Sequence, residues 1–376
     1  MVPFIDITRT EAGFGERWLA KVAAMSRNAQ FIGGAEVSSL ETRLADAAGV
    51  GHVVGCANGT DAIQLALRAL GVGRGDAVLV PDMTFWATFE AVVNVNADPV
   101  TVDVSPVDGG VDLVAFEQAL VNARPKAAII AHLYGWGSRH LAELRTMCIS
   151  HGVHLIEDGA QSFGATWRGE PIYAGAQIAT ASFYPAKVLG AAGDGGAVFT
   201  QDGDLATRVR SLANHGRTSH YGYGDVGWNS RLDALQAAYI NISLDYLDDR
   251  IRSRRKSADY YREHLPELGL DAMNAPDGYE ENGYCNVILI ADAARKARIE
   301  KLLKDNQIGF ANIYPGPMSG QPGAVPHLKA HYGQGTAARL SAQVLNLPLF
   351  PYMTLEELDE VISVLRSEQT KRVAVA

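Results

Sequence analysis

Cysteine is scarce: Cys56, Cys148 and Cys285 are the only three in 376 residues, and they lie far apart. Such spacing supports neither a disulfide framework nor a zinc cluster, and a reducing cytoplasm is the expected setting. A dense run of Lys or Arg is also missing. With 33 basic against 42 acidic residues, the formal net charge is -9 and the pI near 5.6, a balance that repels a phosphate backbone and argues against nucleic acid as a partner. Long apolar runs are absent too: stretches such as Ala127 to Ala131 have strand length, and the opening MVPFIDITRT meets an acid at Asp6. Neither membrane insertion nor export is expected. No internal repeat or low-complexity segment is visible.

What the chain does have is enough apolar material for a large core, with 47% hydrophobic and 20% charged residues and a length that predicts two domains. Helix-period segments alternate with short buried runs. A helix over Glu36 to Ala48 precedes a strand over His52 to Cys56, a helix from about Thr60, a strand over Ala77 to Pro81 and a helix through Phe89. Further strands are expected over Pro99 to Val104, Lys126 to Ala131, Gly152 to Asp158, Ile178 to Phe183 and Ala197 to Thr200. This rhythm predicts an α/β fold with a layered, mostly parallel sheet, whose ligands gather at the strand ends. Asn214 to Asn229, rich in Gly, His and Tyr, reads as a long exposed loop. A long charged helical pattern follows Arg231, and a smaller α+β rhythm follows it: a strand over Tyr284 to Ile290, a helix over Asp292 to Asn306, a strand over Ile308 to Ile313 and a last helix from Thr354. We place the large domain at residues 12–247 and the small one at 248–376, with residues 1–11 packing nearby.

The sharpest chemical signal is Ser182-Phe183-Tyr184-Pro185-Ala186-Lys187, followed by Gly190 and by Gly193-Asp194-Gly195-Gly196. A lysine here leaves a buried strand and enters a flexible turn. At a reference pKa of roughly 10.4 its amine is protonated, so it becomes a useful nucleophile only when desolvated or matched with an aldehyde. Alone, the segment reads equally well as a solvated lysine beside a Gly-rich turn. Three other segments weigh against that. Asn58-Gly59-Thr60-Asp61 joins a strand to a helix, where free N–H groups and the helix dipole suit a phosphate, although plain capping would also use these residue types. Glu157-Asp158-Gly159-Ala160-Gln161-Ser162 ends an apolar strand in an aspartate able to keep a pyridine nitrogen protonated. Thr84-Phe85-Trp86-Ala87-Thr88 offers aromatic rings to a flat ligand or to the core.

In this order and spacing the segments resemble the DegT/DnrJ/EryC1/StrS family of sugar aminotransferases, which have the aspartate aminotransferase-like (fold type I) architecture of pyridoxal 5'-phosphate (PLP) enzymes. The likeness runs from Phe31-Ile32-Gly33-Gly34 through Asn229-Ser230-Arg231-Leu232-Asp233 to Tyr314-Pro315 and Leu347-Pro348-Leu349. The resemblance implies that Lys187 joins the cofactor through its amine, that Asp158 pairs with the ring nitrogen, that Gln161 meets the ring hydroxyl and that Phe85 stacks on the ring. It further implies that Gly59, Thr60, Asp61 and Ser182 hold the phosphate, and that Asn229 reaches in from the other subunit of a homodimer with shared active sites. By the same comparison L-glutamate donates the amine and a nucleotide-linked keto-sugar accepts it. Relatives with histidine at the lysine position are dehydratases, so Lys187 points to amino transfer. The segments around Cys56 to Ala62 and Gln161 to Ala165 are most similar to enzymes of UDP-linked 3-keto-sugars, including a 3-keto uronic acid, whereas Ile313 stands where many relatives have histidine.

For the substrate's charged and ring groups the candidates are Arg231 and Tyr314, with Arg217 and His220 in the long loop. A 4-keto-6-deoxy sugar nucleotide or a keto-cyclitol is the alternative acceptor. An NAD-dependent enzyme is rejected: Gly71-Val72-Gly73-Arg74-Gly75 lacks the third glycine at the required spacing and precedes a strand. A non-catalytic regulator of the same fold is the alternative of another class, and the intact set of Lys187, Asp158 and Gln161 argues against it.

Overall fold

A computed structural model describes residues 1–373. Ten of the thirteen strands among the described residues organise the fold: β1 (His52–Cys56), β2 (Ala77–Pro81), β3 (Asp98–Val102), β4 (Ala127–Ala131), β5 (His154–Asp158), β6 (Ile178–Ser182), β7 (Gly196–Thr200), β8 (Asn286–Leu289), β9 (Ala330–Tyr332) and β10 (Val344–Leu347). Eight of them form one sheet in the order β1-β7-β6-β5-β4-β2-β3-β9. All pairings in it are parallel except those of β7, which runs against both β1 and β6. The C-terminal ends of β1, β2, β4, β5 and β6 therefore open on the same edge.

Period-two alternation explains why these runs become strands buried on both faces. Ala128 and Ile130 of β4 face a core shared with Leu40, Leu44, Phe116 and Leu144 of the helices Gly34–Ala48, Leu113–Ala123 and Leu141–His151. Ala127 and Ile129 face the opposite core, with Ile63 and Phe89 of Gly59–Ala69 and Trp86–Asn94 and with Val209 of Gly203–Ala213. Helix starts follow the side-chain oxygens available: Asn58 accepts from the Asp61 N–H at 2.8 Å and Asp112 from the Ala115 N–H at 2.8 Å, filling orphan donors of the first turn.

A separate core gathers Val2, Tyr261, Ile288, Leu303, Leu347 and Ile362 around the antiparallel pair β8–β10. Val2 bridges Ile308, and the Gly309 N–H donates to the Val2 carbonyl at 2.7 Å, so the first residues are woven into this part. The chain then leaves it. Residues 318–332 return to the large sheet, where β9 adds to the edge of β3, Ser319 donates to Asp82, and Asp103 accepts from the N–H groups of Gln334, Thr336 and Ala337.

Two elements differ from expectation. Ile308 to Ile313 is not a strand: it makes only single-residue bridges, Ile308 to Val2 and Ala311 to Asn346, because the chain turns at Tyr314, whose φ is 64°. The helical pattern after Arg231 is broken into Ala234–Leu244 and Leu247–His264, since the N–H groups of Asp245 and Tyr246 bond back three residues to Ile242 and Ser243 and tighten the turn. The helices Phe14–Asn28, Leu113–Ala123, Leu141–His151 and Gly203–Ala213, and the strand β9, have no counterpart in the sequence reading. Among the described residues no helix is long and apolar enough to cross a membrane.

Candidate active site

At the open edge of the parallel strands lies a cavity of about 480 Å³. Five strand-end loops supply its walls: Asn58, Gly59 and Thr60 after β1, Thr84 and Phe85 after β2, His132 and Leu133 after β4, Asp158 and Gln161 after β5, and Ser182, Tyr184 and Lys187 after β6. Tyr284, Ile313 and Tyr314 close it from the C-terminal part.

Lys187 sits in a tight turn, its N–H bonded to the Tyr184 carbonyl at 2.8 Å. Its Nζ donates to Tyr284 Oη at 3.3 Å and lies 4.9 Å from the centroid of that ring. Burial lowers the Lys187 pKa, with the charge of Asp158 opposing the shift, so the neutral, nucleophilic amine is favoured relative to an exposed lysine. Tyr284 is pushed upward, chiefly by burial, and stays a phenol able to accept that bond.

Asp158 is 7% exposed. Its Oδ2 accepts from Thr88 Oγ1 at 2.7 Å and its Oδ1 from the Ala160 N–H at 3.1 Å. Gln161 is fixed at both ends of its amide: Oε1 accepts from the Tyr134 N–H at 2.7 Å, and Nε2 donates to Tyr314 Oη. Burial raises the Tyr314 pKa well above the ordinary phenol value. Glu157, next to Asp158, points to the other face of the sheet as β5 alternates. There it takes two bonds from Arg145, at 2.7 and 3.0 Å, and one at 2.9 Å from His132.

Asn58 caps the helix Gly59–Ala69 through the Asp61 N–H, which leaves the first two amides, of Gly59 and Thr60, without an intrahelical acceptor where Gly59 packs beside Ser182 on the cavity wall. Glycine is required at 59: a Cβ there would lie 2.7 Å from the Ser182 Cβ. Thr180 Oγ1, buried on the cavity wall, has no hydrogen-bond partner among the described residues. An anion cradle, an acceptor-only carboxylate, an unpaired hydroxyl and a desolvated amine thus line one space, a donor set that fits a flat heteroaromatic phosphate with an aldehyde.

Of the residues singled out in sequence, Lys187, Asp158, Gly59, Thr60, Phe85, Gln161, Ser182 and Tyr314 line this cavity. Asp61, Asn229 and Arg231 do not. The Asp61 carboxylate accepts from Ser230 Oγ at 2.7 Å and its N–H is spent on the cap. Asn229 is exposed, and Arg231 donates to Asn214 at 2.7 Å at the base of the long loop, which also carries Arg217 and His220. Sequence reading did not find Thr88, Tyr284 or Thr180. Thr88 had a signal, since it stands four residues after Thr84 at the start of a helix.

The DegT/DnrJ/EryC1/StrS aminotransferase family model matches residues 14–366. The chain is 38% identical to the UDP-N-acetyl-3-dehydro-alpha-D-glucosamine 3-aminotransferase of Acidithiobacillus ferrooxidans, over 97% of each chain. It is likewise 38% identical to the UDP-2-acetamido-2-deoxy-3-oxo-D-glucuronate aminotransferase of Pseudomonas aeruginosa, over 94% of this chain and 96% of that one. Among solved structures, NtdA of Bacillus subtilis with bound cofactor PMP matches with a TM-score of 0.89 at 28% identity, covering 97% of this chain and 84% of that one. With the family model and two full-length relatives in agreement, the chain belongs to the DegT/DnrJ/EryC1/StrS aminotransferase family.

Proposed function

We propose that this protein is a PLP-dependent aminotransferase that moves an amino group from L-glutamate to a nucleotide-linked 3-keto-sugar. The observation that carries the reading is that the Lys187 amine and the Asp158 carboxylate line one cavity, beside the free amides that begin the helix Gly59–Ala69. The 3-oxo position and the UDP carrier are supported by the activities of the two bacterial relatives. PLP supplies an aldehyde that captures amines and a ring that draws off the electrons released when a C–H proton leaves.

The chain's own groups do the rest. Gly59, Thr60 and Ser182 would hold the phosphate, with the helix dipole behind it. Asp158 would meet the ring nitrogen and hold a proton on it, Gln161 would donate its remaining N–H to the ring hydroxyl, and Phe85, 63% exposed at the rim, would cover the ring face. Lys187, whose amine Tyr284 holds, would take the proton from the donor's α-carbon in one half-reaction and deliver one to the acceptor's sugar carbon in the other. Tyr314, locked to Gln161, lines the side from which the sugar enters. Asn229 and Arg231, turned away from the cavity of their own chain, serve the partner's site in a homodimer.

The test is a spectrum. Protein loaded with PLP is expected to give a visible band that L-glutamate abolishes, and borohydride reduction followed by peptide mass spectrometry is expected to find the cofactor on Lys187. A folded protein with no band and no labelled Lys187 overturns the reading. Gly59→Ala is expected to weaken PLP binding at least about tenfold and to destabilise the fold by roughly 1–3 kcal/mol, as overpacking does. Fluorescence titration and urea melts measure both.

A further inference from the structure

Behind Asp158 two threonines form a chain whose direction can be deduced. A hydroxyl has one proton to donate. Thr88 Oγ1 gives its proton to Asp158 Oδ2 at 2.7 Å, so in the 2.8 Å contact between Thr84 Oγ1 and Thr88 Oγ1 the donor must be Thr84. Both threonines are buried, at 1% and 0% exposure, which keeps bulk water away from Thr88. The second carboxylate oxygen is held by the Ala160 N–H at 3.1 Å. One lone pair on each oxygen is thereby used on the protein side, leaving one on each for a ligand. Thr88 belongs to the first turn of the helix Trp86–Asn94, and Thr84 stands just before it, so both hydroxyls are set by the same turn that presents Phe85 at the cavity rim.

We propose that Thr84 and Thr88 are positioning residues, a one-way hydroxyl relay that fixes the rotamer of the Asp158 carboxylate for the cofactor's ring nitrogen. This rests on the function proposed above. Thr88 acts on Asp158 directly, whereas Thr84 acts only by polarising and orienting Thr88. The helix that carries the aromatic cover is thus mechanically joined to the carboxylate beneath the ring.

The relay predicts a pattern that a packing role does not. Titrating apoprotein with PLP, Thr88→Val is expected to lower affinity about 10- to 100-fold, the range of a hydrogen bond to a charged group, while Thr88→Ser recovers all but about threefold. Thr84→Val is expected to lose about three- to tenfold. The Thr84→Val/Thr88→Val double variant is expected to bind within about twofold of Thr88→Val alone, because Thr84 has nothing left to act through. Losses that multiply in the double variant, a Thr88→Ser no better than Thr88→Val, or a Thr88→Val within twofold of the parent each overturn the relay. Should Thr88→Val fail to fold by circular dichroism, Thr84→Val decides, with unchanged affinity overturning the relay. Asp158→Asn in the same titration separates the two levels. If it binds normally, the placement of Asp158 fails and the relay with it. If it binds poorly while Thr88→Val binds normally, the relay alone fails.

Discussion

Lys187→Ala will end amino transfer, lowering kcat by at least about 10³–10⁴-fold, because it removes the nucleophile and the general base together. Binding should respond differently. The cradle of Gly59, Thr60 and Ser182 and the contacts of Asp158 and Gln161 do not involve the lysine, so the amine form of the cofactor is expected to bind Lys187→Ala within about threefold of the parent. The variant should also retain the aminated sugar, since no amine remains to displace it. Steady-state assays and equilibrium titration with pyridoxamine phosphate read the two expectations independently. Turnover within tenfold of the parent would remove Lys187 from the reaction.

The largest effect on stability is expected one residue away from the site. Glu157 is fully buried and meets Arg145 and His132. Burial by itself would raise its pKa, but the bonds from His132 and Arg145 overcome that and hold it below the ordinary carboxylate range. Arg145→Met leaves a buried carboxylate short of its main counter-charge and is expected to cost about 3–5 kcal/mol in urea melts. Because the folded pKa of Glu157 lies below the unfolded one of roughly 4.3, its contribution is complete above that value and is lost as the pH falls through the folded value. The stability gap between parent and Arg145→Met should therefore narrow below about pH 4. A gap that stays constant with pH would assign the loss to the contact of the Arg145 guanidinium with the Trp167 ring instead.

The central strands were legible because each is a short, largely apolar run of strand length, and parallel order then brings the strand-end loops to one edge. That is why Gly59, Phe85, Asp158, Gln161 and Lys187, chosen from four separate segments, line one cavity. Direction was harder to read than position. Asp61 follows Thr60, yet the cap by Asn58 and the bond from Ser230 turn it elsewhere, a choice made by partners that a local reading does not contain. Thr88 and Tyr284 escaped notice for a related reason: their partners Asp158 and Lys187 are 70 and 97 residues distant in the chain. The strand β9 is three residues long, at the sheet edge, and carries no alternation to detect.

The return of residues 318–332 to the sheet bears on how this molecule comes apart. A nick after Tyr314 would not free the C-terminal part, because Asp82, Asp103 and the β3–β9 ladder still clasp the downstream stretch, while Val2 is stitched to Ile308 on the upstream side. The polypeptide is laced through its two cores more than once. Excising either portion as an independent piece would leave a raw seam, so protease fragments should co-migrate until the complex is denatured.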